Sequence, residues 1–297
     1  METLREQLFL LITTPAYVII IGFEMLLSSI HHKKYYTSKG TLYNIYLSTL
    51  NFGLDILMLG TCLYVLNFFS VYQFFAIENI WVYWIVLLIA EDFLFYILHY
   101  VDHYVRFFWA VHVTHHSSDE YNLTVGFRSS VFQPLYRLFY FIPLAFFGFK
   151  PLDVMFMYSI TQIYGILIHT QFVGRLGFIE WFMATPSHHR VHHGKNPIYL
   201  DKNMGMVFIV WDKLFGTFQR EDDTVKIEYG LTKPLEKTNP VIIVFHEWEE
   251  ILNDLKKPVT FKIKLKYIFG RPGWSHDGSR KTSKQLEKEW REQIKSN

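Results

Sequence analysis

A single cysteine, Cys62, stands among 297 residues, which excludes a disulfide framework and a thiolate metal site. The chain shows no glycine-rich dinucleotide fingerprint, internal repeat or low-complexity tract, so no nucleotide cofactor announces itself. Charge is sparse: Asp, Glu, Lys and Arg make up 19% of the residues and the formal net charge is +2. Without a basic stripe, nucleic acid is not an expected partner. Apolar matter is abundant instead. With 51% hydrophobic and 19% aromatic residues and a positive mean hydropathy, the chain is greasy for a soluble domain of this length and reads as an integral membrane protein.

Five apolar runs carry that reading. Residues 8–30 outlast a signal-peptide core and lack a small-residue cleavage pattern, so a retained membrane segment is expected there. Runs follow at 42–69 and 80–100, then 131–149 and 152–173 as an apolar helical hairpin turned around Gly148 and Pro151, with these last two short or tilted. With five crossings, the basic loop at 31–40, the stretch after His103 and the region after Val173 all fall on one side, which the positive-inside rule assigns to the cytoplasm. The expected fold class is all-α: one integral membrane domain, with a multi-pass transmembrane helical bundle over about 8–173. A cytosolic helical cap over 174–225 and a cytosolic tail over 226–297 complete it. Residues 175–184 suit the membrane interface, 241–255 an amphipathic helix, and 260–269 an edge strand or a surface helix. Thr282 with Gln285 resembles a capping box opening a charged last helix.

Histidine dominates the chemistry. His99 and His103 form H-x-x-x-H, and His112, His115 and His116 form H-x-x-H-H. A second H-x-x-H-H follows at His189, His192 and His193 in Ser187-His-His-Arg-Val-His-His-Gly194. Residues three and four apart share a helix face, so each cluster presents its rings together. Eight imidazoles exceed what one ion takes and match two ions sharing a site. All-nitrogen ligation suits zinc, copper, iron or nickel rather than magnesium or calcium. His169, near the end of the fifth run, is either a ninth ligand or a ring paired with a helix carbonyl. His188 falls off the face of the third cluster, and His31, His32, His246 and His276 have no partner at ligand spacing.

Glu91 and Asp92 interrupt an apolar run, where carboxylates are functional candidates; Asp92 either bonds to a ligand ring, lines a substrate tunnel or ties helices. Asp102, Asp119, Glu120, Asp201 and Asn203 lie near the clusters and are candidates to orient ring N–H groups. Histidine-only ligation leaves iron with open positions for oxygen, though it also holds zinc for hydrolysis. The clusters cap apolar helices, so a lipid chain is the expected substrate, and an unactivated C–H bond demands a strong oxidant. A zinc-binding membrane transporter or sensor is the reading from a different class.

The three histidine motifs resemble those of the fatty acid hydroxylase and sterol desaturase superfamily of membrane di-iron enzymes. The likeness covers roughly residues 80–275 and is greatest to the alkylglycerol monooxygenase branch and its bacterial relatives. It runs through Glu91-Asp-Phe93, residues 108–122 and 185–196, Asp201-Lys-Asn203, residues 211–217 and Pro272-Gly-Trp274. The resemblance implies iron ligation by His99, His103, His112, His115, His116, His189, His192 and His193, with a helical bundle under a cytosolic cap. It implies O2 activation at two irons, hydrogen abstraction and hydroxyl rebound. In the ether-cleaving branch, hydroxylation next to the ether oxygen gives a hemiacetal that collapses to a fatty aldehyde, with tetrahydrobiopterin as electron donor. The alternative within the superfamily is a fatty acid, sterol or carotenoid hydroxylase or desaturase fed by a redox donor protein. One departure is visible: some fatty acid hydroxylases carry a histidine pair where this chain has His169 and Val173.

Overall fold

The computed structural model describes residues 2–236 and 238–296, with side chains from Pro15 onward. Helices α1 (Glu2–Ile30), α2 (Ser38–Ser70) and α3 (Ile80–Tyr104) come first. Among the described residues only α2 and α3 are long and apolar enough to cross a membrane. Their starts are set locally: the Thr37 hydroxyl accepts the Gly40 N–H at the head of α2, and the Asn79 side chain accepts the Trp81 and Val82 N–H groups at the head of α3, which satisfies donors that a helix start leaves open.

The hairpin expected at 131–173 is shorter than its apolar run. It consists of α6 (Pro134–Phe146) and α7 (Pro151–Leu167), each with proline in its first turn, where the missing N–H costs nothing. The chain leaves helical geometry after Leu167, and residues 168–173 turn back under polar ties: Thr170 donates its hydroxyl to Glu24 and the Arg190 guanidinium reaches the Thr170 carbonyl at 3.1 Å. Leu66, Leu87, Phe141, Leu144 and Val154 form a core between α2, α3, α6 and α7. Polar ties cross it too. Arg137 of α6 pairs with Asp55 of α2 and donates to the Tyr158 hydroxyl of α7.

At Val105 the backbone opens to φ −120°, ψ 114°, and the Arg106 N–H is taken by the Gly270 carbonyl at 2.9 Å. That break folds α4 (Arg106–His116) back toward α3. The short α5 (Leu123–Gly126), a 3-10 turn (Gly177–Trp181), α8 (Pro186–His192) and α9 (Val210–Phe215) build the region over the bundle ends, followed by α10 (Pro240–Leu255), α11 (Phe261–Phe269) and α12 (Ser283–Ser296). No strand occurs among the described residues, apart from one isolated bridge between Met183 and Phe208. The all-helical class therefore holds, and the strand option at 260–269 is corrected to a helix. Apolar residues alternate with lysine from Phe261 to Tyr267, a strand-like pattern, but on the helix Phe261, Leu265 and Phe269, four apart, share one exposed stripe while Tyr267 is buried. The Thr282 N–H and hydroxyl both donate to Gln285 at the head of α12, and α12 buries no residue fully. The expected interfacial stretch at 175–184 contains the 3-10 turn, with Phe178 71% and Trp181 77% exposed.

Candidate metal centre

Nine buried or nearly buried imidazoles converge at the cap end of α3, and they sort into two groups. His99, His103, His112, His116 and His192 form one; His115, His169, His189 and His193 form the other. Within each group the available ligand nitrogens lie within 4.8 Å of one another. In the first, Nε2 of His112 is 3.1 Å from that of His99 and 3.2 Å from that of His116. In the second, His169 Nε2 is 2.9 Å from His189 Nε2, 3.1 Å from His193 Nε2 and 3.3 Å from His115 Nε2.

The opposite edges of these rings are tied outward. Nδ1–H of His99 donates to the Met204 carbonyl at 2.8 Å, that of His192 to the Lys202 carbonyl at 2.9 Å, and that of His115 to the Arg128 carbonyl at 2.9 Å. His169 donates to the Gly165 carbonyl at 2.6 Å, and His103 faces Asp201 at 3.3 Å. His112 Nδ1 pairs with the Ser130 hydroxyl at 3.1 Å, with Asp102 3.7 Å away. A carbonyl only accepts, so it fixes the proton on Nδ1 and turns the Nε2 lone pair inward. Burial, and then repulsion among the neighbouring rings, holds His112, His116, His189, His192 and His193 well below the usual histidine range, and burial holds His115 down to about 4. Neutral rings facing each other lone pair to lone pair at about 3 Å repel unless a cation lies between them, and the buried Nε2 atoms of His103 and His192 have no hydrogen-bond partner. These residues fit two nitrogen-ligated metal ions.

Three of the outward ties come from one short strap, residues 201–204. Asp201 and Asn203 adopt left-handed backbone, φ 53° and 56°, so consecutive positions face different rings. Asn203 orients no ring; its amide bonds the His188 and Gln219 carbonyls and holds the strap in place. Asp212 fixes the far end by accepting the Met204 N–H at 2.7 Å and the Gly205 N–H at 2.8 Å. The carbonyls of Lys202, Met204 and Arg128 escaped sequence reasoning because every residue owns one. The single hint was the Asp-Lys-Asn run itself, since Asp and Asn tolerate left-handed turns. Loss of an outer partner costs a metal site about 10–100-fold in affinity; Asp201→Ala is expected to lower metal occupancy of the five-ring group by that order, read by metal titration, and unchanged affinity would remove Asp201 from the site.

The remaining candidates divide. His188 caps α8, its Nδ1 accepting the Thr185 N–H, and is outside both groups. His246 donates to its own helix and His276 bonds the Tyr267 hydroxyl, while His31 lies against Phe172 and His32 sits in a left-handed turn. Glu120 accepts from Thr37 and Asp119 lies against Gly230, so neither orients a ring. Asp92 accepts from the Val207 and Phe208 N–H groups and from the Trp211 indole, and Glu91 accepts from Thr161 of α7; both tie elements together rather than bonding to a ligand ring.

A chamber of about 740 Å³ opens onto His103, His116, His192 and His193. Its walls come from the loop at 230–236, α10 and the segment at 272–286, and they carry both charges, with Glu247 and Glu250 facing Lys195 and Arg280.

Two clusters of imidazoles at the ends of apolar helices define a class of candidate metal site, and sequence comparison shows what the chain is similar to. Residues 84–217, which hold all nine rings, match the family model described as "Fatty acid hydroxylase". "Alkylglycerol monooxygenase" of Homo sapiens is 39% identical over 191 residues, 64% of this chain and 42% of that protein. The Xenopus tropicalis protein of the same name is 38% identical over 197 residues, 66% of this chain and 43% of its own. "Ornithine lipid hydroxylase OlsE" of Rhizobium tropici is 28% identical over 152 residues, 50% of this chain and 46% of that protein. The chain spans less than half the length of these curated relatives. No solved structure matches it.

Proposed function

We propose that the protein is a membrane-bound, O2-dependent lipid monooxygenase that holds one iron in each histidine group and cleaves an alkylglycerol ether. The observation carrying this reading is the inward convergence of nine imidazoles without a carboxylate or thiolate among them, a donor set that suits a redox metal with open positions. Bound iron supplies oxygen activation and the oxidising power that an unactivated C–H bond requires. The carbonyls of the strap at 201–204, Arg128 and Gly165 hold their rings in the tautomer that ligation needs, and the Ser130 hydroxyl holds the His112 ring in place.

The chamber's mixed charges favour a lipid whose polar head sits beside the rings, so that the carbon presented for oxidation lies near the head rather than deep in the chain. Hydroxylation next to the ether oxygen consumes O2, two electrons and two protons and releases water. The hemiacetal then parts into aldehyde and glycerol. Tetrahydrobiopterin is the proposed electron source, with a redox donor protein as the alternative. Further α1, α6 and α7 would complete a multi-pass bundle around α2 and α3, with the histidine groups on the cytoplasmic face. The name of the Rhizobium relative supports a second reading, hydroxylation of another lipid without ether cleavage.

The test is incubation of iron-loaded protein in detergent with a 1-O-alkylglycerol, O2 and tetrahydrobiopterin, followed by mass spectrometry. Fatty aldehyde is expected from the parent protein and not from His192→Ala. Absence of aldehyde from protein holding two irons would reject ether cleavage with that donor.

A further inference from the structure

Helix α10 buries one apolar stripe and exposes another, while α11 buries Tyr267 and exposes an apolar stripe of its own. On α10, Ile243, Val244 and Ile251 face inward, and Ile243 and Val244 join Leu47 of α2 and Val131 in a small core. Its opposite stripe, Val241, Phe245 and Leu252, is about half to two-thirds exposed. On α11, Phe261, Leu265 and Phe269 recur at four-residue spacing, and Phe261 is 73% exposed. Water penalises such stripes. Phe107 joins the two helices, its ring 5.2 Å from Trp248 and 6.2 Å from Phe269, so the exposed rings form one belt.

We propose that the α10–α11 hairpin is a docking element that lies on an anionic lipid surface, with this belt immersed among the acyl chains. Two observations choose lipid as the occupant. The belt is continuous with a membrane-crossing helix: α10 packs on Leu47 and Tyr43 of α2, whose neighbours Leu42, Ile45 and Leu50 are exposed apolar residues, and Phe245 meets Phe132 at 5.8 Å just before α6. Charge is also segregated across the hairpin. Glu247 and Glu250 turn into the chamber, while Lys256, Lys262 and Lys264 fringe the α11 stripe. Aromatic and aliphatic residues bordered by lysine are the composition of an interfacial helix, and lysine is drawn to an anionic bilayer. Docking in this way would set the chamber, walled by α10, against the bilayer surface.

The test places an NBD fluorophore at Leu265→Cys or Leu252→Cys on a Cys62→Ala background, in full-length protein reconstituted into nanodiscs. Discs contain phosphatidylcholine with or without phosphatidylglycerol, and carry brominated acyl chains. Quenching by bromolipid several-fold above that at Lys288→Cys, on the solvated α12, is expected at both positions, approaching that at Leu57→Cys in α2. The paired variant Lys262→Glu, Lys264→Glu is expected to reduce quenching at Leu265→Cys only in discs containing phosphatidylglycerol. Accessibility of the α11 probe to aqueous iodide with no bromolipid quenching would overturn docking. Protection from both quenchers would identify a protein partner and overturn it equally, and quenching indifferent to phosphatidylglycerol and to the lysine changes would overturn the anionic lipid. None of these readouts depends on turnover.

Discussion

His169→Ala is expected to reduce the bound metal from two ions per chain toward one and to lower activity by more than about 100-fold, since even an outer partner is worth about 10–100-fold. The four-ring group is His115, His169, His189 and His193, and His169 lies at its centre, with Nε2 2.9 to 3.3 Å from each of the other three. Three rings would remain after the substitution. The five-ring group shares none of its members and should keep its ion, so metal analysis would give a half-loaded protein rather than an empty one. His246→Ala, at a ring bonded to its own helix, is the control and should keep both ions. A His169→Ala protein with two ions and full turnover would mean that this histidine does no more than bond Gly165. The sequence framed those roles as alternatives, and the geometry joins them: Nδ1 holds the carbonyl while Nε2 faces the group.

The histidines were legible because helical ligands advertise themselves by spacing, but their partition was not. The sequence offers sets of two, three and three, whereas the structure divides the motifs between two groups of five and four. Helical rotation explains the division. At about 100° per residue, positions four apart differ by about 40°, while a residue three along sits about 60° to the other side. His112 and His116 therefore go together and His115 goes to the other group; His189 and His193 go together and His192 crosses over. Each H-x-x-H-H motif bridges both groups. Membrane segments were legible as apolar runs, and among the described residues α2 and α3 qualify as spans. Helices α6 and α7 stop short of their runs because hydropathy does not register where a chain must turn to aim His169 or start a proline-led helix. Asp201 was identified among the ring-orienting candidates, while carbonyl partners carried no signal in residue identity.

Asp92→Ala is expected to be the most damaging substitution outside the rings. The carboxylate is fully buried and accepts three donors, at 2.8 Å from Val207 N–H, 3.1 Å from Phe208 N–H and 2.9 Å from the Trp211 indole. Each buried donor left without a partner costs about 1–3 kcal/mol, so the loss is on the order of 3–6 kcal/mol after partial relaxation. For a chain of this size that corresponds to roughly 10 °C in the unfolding midpoint, measurable in detergent by tryptophan fluorescence. The damage should also reach the metal centre. Val207 and Phe208 lie three and four residues after Met204, whose carbonyl takes the His99 N–H, so release of this segment from α3 frees a ring of the five-ring group. Asp92→Asn keeps one acceptor oxygen and turns an N–H2 toward the remaining donors, so an intermediate loss of stability is expected. Selective loss of the ion in the five-ring group, at a temperature where the helices are intact, would distinguish this coupling from general unfolding. An Asp92→Ala protein that unfolds with the parent and retains both ions would show that the segment is anchored without Asp92.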